Sequence, residues 1–477
     1  MPVNSFDDYP MSWKPCLQTD GEVPIYIYLA DLLQADILGG KLTPGTKLPP
    51  QRELADYLDI NLSTVTRAFK LCEQRGFICS AVGRGTYVSS DAAAQSIMLL
   101  HHPKDKIIEM GAILPNPDIN EIASDYLRKM ASEPDFYKLL QYGMIDYDEL
   151  QIKAAVQWLA YSGIRSERKH IIFSCGSQNG IFAALASLFQ KGEKVAVMPV
   201  TYPGLKSAAK ILGIQAVAIP LHEGKVTEES LEYVYRNHNI KGFYFVPDFN
   251  NPTSEMMDLD TRKRIAHFCS SHNLPVIEDG IYTLFLPDPL PPISSFALEQ
   301  GIFISSVSKI LSPGLRIAVI HAPDRYRRRI WECLYSMQIA PPALMMQLFT
   351  RLVIAGQFDE IRRQRIRELE ERNTIFDRMC PEFHSIGDRH SPIRWLFLPE
   401  NGGMTPATFE KSAYAHGVQV YGAERFTVGN GAIPRAVRIS LISARPAEKY
   451  EEGLEILRKL FAAASGKETV QMDQVFG

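Results

Sequence analysis

The chain has 477 residues, of which 46% are hydrophobic and 22% charged, with a net charge of −3. That is the profile of an ordinary globular protein with length for about two or three domains. The near-neutral balance excludes a globally basic nucleic-acid coat and confines any DNA contact to one face. Cysteines at 16, 72, 79, 175, 269, 333 and 380 are scattered without a Cys-x-x-Cys spacing, which argues for reduced thiols and the cytoplasm, and against a disulfide framework or a zinc site. No stretch approaches the roughly eighteen apolar residues of a membrane span, and residues 1–22 read as a polar extension without the apolar core of a signal peptide.

Pro24 opens a helical pattern with Ile25, Tyr28, Leu29 and Leu32 on one face, and Gly39-Gly40 ends it. Thr43-Pro44-Gly45 is a turn signal. A second helix is expected from about Gln51 to Leu58 and, after Asp59-Ile60-Asn61, a third with Asn61 as N-cap and Gly76 as its stop. Two short helices so closely joined have the helix-turn-helix spacing, whose second helix enters a major groove. Phe77-Ile78-Cys79 and Thr86-Tyr87-Val88 around Gly83-Arg84-Gly85 make a hairpin with a basic tip.

The block from Leu48-Pro49-Pro50-Gln51-Arg52-Glu53-Leu54-Ala55 to Gly83-Arg84-Gly85-Thr86-Tyr87-Val88 resembles the GntR-type winged helix. The resemblance implies double-stranded DNA as partner, with Arg52, Asn61, Ser63, Thr64, Arg67 and Arg84 at the contacting positions. Arg52 and Arg84 are assigned to phosphate or minor groove, and Ser63, Thr64 and Arg67 to the major-groove face. Leu62 stands where family members often carry an arginine, and the module is only slightly basic. A protein-interaction role for the winged helix stays open beside DNA binding.

Residues 91–107 read as a linker, with Ile97-Met98-Leu99-Leu100 packed down. Beyond it, apolar runs alternate with helical patterns from 171 to 320, which predicts a mostly parallel sheet covered on both faces, with ligands beyond its C-terminal strand ends. At one such end, Gly176-Ser177-Gln178 turns the strand Ile171–Ser174 into a helix, a geometry that offers backbone N–H groups to a phosphate. Asn250-Asn251-Pro252-Thr253 ends the run from Gly242, and Glu278-Asp279-Gly280-Ile281-Tyr282 the run from Leu274. Ser305-Ser306-Val307-Ser308-Lys309, with Arg316 seven residues on, lies between the runs Ile302–Ile304 and Ile317–Ile320. A lysine held between apolar strands has a lowered pKa, and its neutral amine condenses with an aldehyde. Two hydroxyls and an arginine beside it suit a phosphate ester. Alone, this lysine reads rather as a loop tip with its head in water.

The order Asn-Pro, Asp-x-x-Tyr, Ser-x-Ser-Lys resembles the fold-type I aminotransferases. What this implies is an α/β fold with a pyridoxal 5'-phosphate cofactor, a large domain at 108–355, a small C-terminal α+β domain at 356–465 and a tail at 466–477. It also implies Lys309 as the aldimine lysine, Asp279 as partner of the pyridine nitrogen, and Tyr282 and Asn251 on the phenolic oxygen. Ser306, Ser308, Arg316, Gly176, Ser177 and Gln178 would cradle the phosphate, and Tyr202 would stack on the ring. Tyr142, before Gly143, matches a tyrosine that reaches the neighbouring subunit's phosphate, or else is a core aromatic. The Asn251-Pro252 bond is a candidate for cis, and Ser254 replaces a usual glycine, a departure that bears on loop geometry.

From Pro341 to about Met379 the pattern is helical, and its Arg- and Glu-dense half, Arg362 to Arg372, reads as a solvated helix with many charge pairs. Arg438, in Arg435-Ala436-Val437-Arg438-Ile439-Ser440, matches the arginine that clamps a substrate carboxylate, with Arg435 as the alternative. A winged helix ahead of an aminotransferase-like domain resembles the MocR subgroup of bacterial regulators. The expectation is a cytoplasmic, homodimeric, DNA-binding regulator that senses an amino acid, an amine or pyridoxal phosphate itself, with no membrane segment and no metal. The other reading is an active aminotransferase carrying an accessory winged helix.

Overall fold

The computed structural model describes residues 11–17, 23–38, 41–42, 45–75, 77–81, 85–89, 107–143, 146–399, 404–429 and 432–464. Arg84, the glycine stops at 39–40 and 76, nearly all of the 91–107 linker and the 466–477 tail lie outside them. The chain divides into two compact units, residues 1–100 with 424–433, and residues 101–423 with 434–477.

In the first unit, helices α1 (Ile25–Leu38), α2 (Gln51–Leu58) and α3 (Leu62–Gln74) precede an antiparallel hairpin of β1 (Ile78–Ala81) and β2 (Gly85–Val88). Asp59, with φ 52°, turns the chain out of α2, and the Asn61 side chain accepts from the Ser63 amide at 2.9 Å to cap α3. Leu29, Leu54, Val65, Phe69 and Val88 are buried together. The buried face of α1 is the Leu29, Leu33, Ile37 row with Ala30, rather than one led by Ile25, which is 40% exposed. The i, i+4, i+8 row is the one that α1 turns toward α3, where Cys72 Sγ donates to the Ala30 carbonyl. Part of the polar extension also belongs to this core. Trp13 is buried, its indole donates to Asp36 at 3.0 Å, and Ser12 donates to the Lys47 carbonyl.

The second unit begins at β3 (Ile108–Glu109). Its large sheet is built from β4 (Ile171–Ser174), β5 (Lys194–Val197), β6 (Gln215–Ala218), β7 (Gly242–Phe245), β8 (Val276–Asp279), β9 (Gly301–Ser306) and β10 (Ala318–His321). The spatial order is β4-β10-β9-β8-β7-β5-β6. Only β10 is antiparallel to its neighbours; the other pairs are parallel. β4, β7, β8, β9 and β10 are buried along their whole length, as strands covered on both faces must be. A smaller antiparallel sheet follows, with β11 (Ser385–Ile386), β12 (Ile393–Phe397), β14 (Tyr421–Gly422) and β15 (Ala436–Ser440) in the order β11-β12-β15-β14. Strand β13 (Val418–Gln419) pairs in parallel with β3, stitching the opening segment of the unit to its C-terminal part.

Between the sheets, Gly356 at φ 71° separates the helices Ala343–Ile354 and Gln357–Met379. The second helix is not simply solvated. Arg365 and Arg372 are buried and donate to main-chain carbonyls, Arg365 to Ile310 and Asn116, and Arg372 to Leu441 and Ala444. Glu368 bonds Arg365 and Arg445 and lies 3.5 Å from Arg372. A charge-dense helix of this kind ties remote segments together because its arginines satisfy carbonyls that no strand pairs.

Candidate functional site

Asp279 is the last residue of β8 and is buried. Tyr244, from the neighbouring β7, donates to Asp279 Oδ2 at 2.9 Å. The other oxygen, Oδ1, is buried without a partner, so the carboxylate keeps one acceptor for a donor that the chain does not supply. Burial pushes its pKa up to about 7, against the opposing pull of the Tyr244 hydroxyl, the Ile281 amide and Lys309. Lys309 follows β9 and donates from Nζ to the Ile113 carbonyl at 2.7 Å. Burial, reinforced by the positive charges of Arg438 and Arg316, lowers its pKa to about 8. An appreciable fraction of the amine is therefore neutral and nucleophilic near neutral pH.

The turn after β7 carries Asn251, whose bond to Pro252 is cis. Asn251 Nδ2 lies 3.4 Å from the Tyr282 hydroxyl, and its Oδ1 accepts from Arg438 Nη1 at 2.6 Å. Arg438 also donates to the Gly111 carbonyl. Tyr282, Asn251 and Arg438, expected from distant stretches, thus meet in one cluster. Arg435 is exposed and donates instead to the carbonyls of Pro399 and Met404. Ser254 adopts φ 62°, the left-handed conformation that a glycine enters freely. Its hydroxyl bonds Ser391 at 2.9 Å and the Ile393 carbonyl at 3.0 Å, contacts that a glycine could not make.

Across the strand ends, Gly176 caps the helix Ser177–Leu188 with φ 84°. A Cβ at that position would lie 2.5 Å from Arg316 Nη2, so only glycine lets the guanidinium rest over this turn. Arg316 donates to the Cys175 carbonyl at 3.0 Å. Gln178 donates to the Gly204 carbonyl while its Oε1 stays buried without a partner. The hydroxyls of Ser306 and Ser308 lie 2.8 Å apart, and Ser306 also reaches the Ile317 carbonyl. Tyr202 precedes the helix Pro203–Leu212. Desolvation of its hydroxyl, with the nearby Asp279 carboxylate, pushes its pKa up to about 12. Tyr142 is 80% exposed and is no core aromatic.

Sequence reasoning missed Tyr244 and the Ile113 and Gly111 carbonyls. The one signal for Tyr244 is a lone hydroxyl inside the buried run Phe243-Tyr244-Phe245, which must find a partner. Carbonyls carry no side-chain signature at all.

On the winged helix, Val65, Ala68, Phe69 and Cys72 turn inward, leaving Asn61, Leu62, Ser63, Thr66, Arg67 and Lys70 exposed on α3. Thr64 is half-buried, and Thr66 donates to Gln51 of α2. Arg52 is exposed on α2. Among the described residues no group of histidines, cysteines and carboxylates has the spacing to hold a metal ion, and no helix is long and apolar enough to cross a membrane.

Residues 118–457 match the family described as aminotransferase class I and II, and residues 26–88 match the bacterial regulatory proteins of the gntR family. The HTH-type transcriptional regulator YdeF of Bacillus subtilis is 44% identical over 460 residues, covering 96% of this chain and 99% of the relative. YjiR of Escherichia coli, also an HTH-type transcriptional regulator, is 26% identical over 80% of this chain and 87% of its own. Among solved structures, an archaeal alanine:glyoxylate aminotransferase superposes with a TM-score of 0.70 at 18% identity, covering 83% of this chain and 98% of that one.

Proposed function

Because the chain belongs to the aminotransferase class I and II family and joins that domain to a gntR-family regulatory domain, the pairing of MocR-type regulators, we propose that it is a pyridoxal phosphate-dependent transcription regulator that binds DNA as a homodimer in the cytoplasm. Its effector is an amino acid, an amine or the cofactor itself, received at Lys309.

The observation that carries this reading is a half-buried Lys309 of lowered pKa within the electrostatic influence of Asp279, whose Oδ1 lacks a partner. The residues fit the cofactor. Asp279 Oδ1 suits a protonated ring nitrogen, Tyr282 and Asn251 a phenolic oxygen, and the Gly176 turn with Ser306, Ser308 and Arg316 a phosphate. Bound there, pyridoxal phosphate supplies an aldehyde carbon for primary amines and an electron-withdrawing ring. The chain's own residues do the rest. Lys309 holds the proton that its surroundings make easy to lose. Arg438 offers a planar fork to a carboxylate, and its bond to Asn251 ties that fork to the ring side of the site.

The homodimer is supported by the exposed apolar side chains Tyr137, Leu140, Tyr142, Tyr335, Met337 and Ile339, with Gly143 seated against Ala340 and Pro341. Regulation requires that the effector bind two arrangements of the protein unequally. The test is operator binding with and without a panel of amino acids, for wild type and Lys309→Ala. An effector response that survives the loss of Lys309 overturns the proposal. The intact set of half-reaction groups also favours the other reading, an aminotransferase, and sustained oxo-acid production in the same tubes would select it.

A further inference from the structure

Separate from Lys309, a cavity of about 240 Å³ opens beyond the ends of β5 and β7. Met198, Val246, Met256 and Met257 give it an apolar lining, and thioethers adapt readily to different alkyl shapes. Its charge is one-sided. Glu223, Glu255 and Asp258 line it, and the one lysine among them, Lys225, is already paired with Asp258 at 3.0 Å.

Glu255 is the carboxylate most withdrawn from water, and burial raises its pKa. It accepts from Thr253 Oγ1 at 2.8 Å, and that hydroxyl in turn accepts from Asn250 Nδ2 at 2.9 Å. Asn250 also lines the cavity; it is 4% exposed, and its Oδ1 has no partner. A carboxylate and an orphan amide oxygen beside a thioether lining call for a head group that donates and does not accept, carried on an apolar body. A second carboxylate would face Glu223 and Glu255 and be repelled.

We infer that this cavity binds a protonated aliphatic amine without a carboxylate, at a site distinct from the cofactor-type site. The hydrogen-bonded chain Glu255–Thr253–Asn250 ends one residue from Asn251, which holds both Arg438 and Tyr282. Occupancy therefore bears on the turn that holds Arg438 and Tyr282. The inference needs neither DNA binding nor turnover, so it stands or falls apart from the regulatory reading.

The probe is N,N-dimethylbutylamine, whose tertiary nitrogen cannot condense with an aldehyde, titrated calorimetrically into the full-length, cofactor-loaded protein. The expected result is one saturable site per chain, weakened about tenfold or more in Glu255→Gln through loss of a charge-assisted contact. Met256→Trp, at a position 37% exposed, is expected to block the mouth while leaving the fold intact. Pentanoate, an anion of similar length, is expected to give no saturable heat. Absence of saturable binding to wild type, equal affinity in wild type and both variants, or equal binding of pentanoate would each overturn the proposal.

Discussion

Arg438 Nη1 donates to Asn251 Oδ1 at 2.6 Å, so the guanidinium and the amide that touches Tyr282 form one unit although they lie far apart in the sequence. Replacing Arg438 by lysine keeps the charge and loses the planar fork, so it cannot hold Asn251, Gly111 and a carboxylate together. Arg438→Lys is expected to weaken an amino-acid effector at least about tenfold. Cofactor absorbance of the resting protein should persist. A visible titration reads both at once, and unchanged effector affinity would remove Arg438 from the carboxylate role.

Gly176 and Gly192 both take positive φ, 84° and 91°, but a Cβ meets Arg316 only at Gly176; at Gly192 nothing lies within 4 Å. Alanine at either position carries backbone strain on the order of 1–3 kcal/mol. Gly176→Ala also displaces the Arg316 guanidinium from the phosphate turn. Cofactor affinity is expected to fall about tenfold or more in Gly176→Ala and to stay near wild type in Gly192→Ala. Equal loss in both variants would mean that strain alone, and not Arg316, sets the affinity.

Asp279 and Lys309 give the cofactor-free chain a pH profile of definite sign. The folded-state pKa of Asp279 is raised from 3.8 to about 7. The folded protein thus keeps a proton that the unfolded chain has lost, and stability falls as pH rises from 3.8 to about 7. That of Lys309 is lowered from 10.5 to about 8, so part of the loss is regained as pH rises from about 8 to 10.5. Asp279→Asn removes the first effect. The variant should melt a few degrees higher than wild type without cofactor near neutral pH, yet bind pyridoxal phosphate far more weakly. Thermal melts with and without cofactor check both signs.

The order of the strand-end motifs was legible because each is a short polar punctuation of a buried apolar run. Asp279, Asn251 and Lys309 announce themselves by interrupting hydrophobic patterns, and the same alternation predicts the parallel sheet. Helix α2 runs over Gln51–Leu58 as expected, and the structure bounds it with Pro50 and a left-handed Asp59. Trp13 was not legible, because one aromatic in a polar segment shows no period. Nor was the burial of Arg365 and Arg372. Composition reports charge, while their partners are carbonyls at 116, 310, 441 and 444, remote in sequence and without side-chain identity. Tyr244 was hidden for the opposite reason, since an aromatic in a buried strand reads as packing until its hydroxyl is followed to Asp279.

Three arginines converge on Glu368, with Arg365 at 2.9 Å, Arg372 at 3.5 Å and Arg445 bonded directly. Through Arg365 the cluster reaches the carbonyl of Ile310, next to Lys309, and through Arg372 those of Leu441 and Ala444, just past the strand that bears Arg438. Glu368→Gln leaves two nearly buried guanidinium groups without a counter-charge, a loss on the order of 3–5 kcal/mol. Melting temperature should drop clearly, and effector affinity should fall with it, because the segments carrying Lys309 and Arg438 lose a common anchor. Glu360, on the same helix, pairs with the exposed Arg363 and Arg367, and such surface pairs are screened by solvent. Glu360→Gln is expected to change neither property. Were Glu368→Gln to melt like wild type, the arginines would be held by their carbonyls alone, and the helix would be an inert spacer between the two ends of the site.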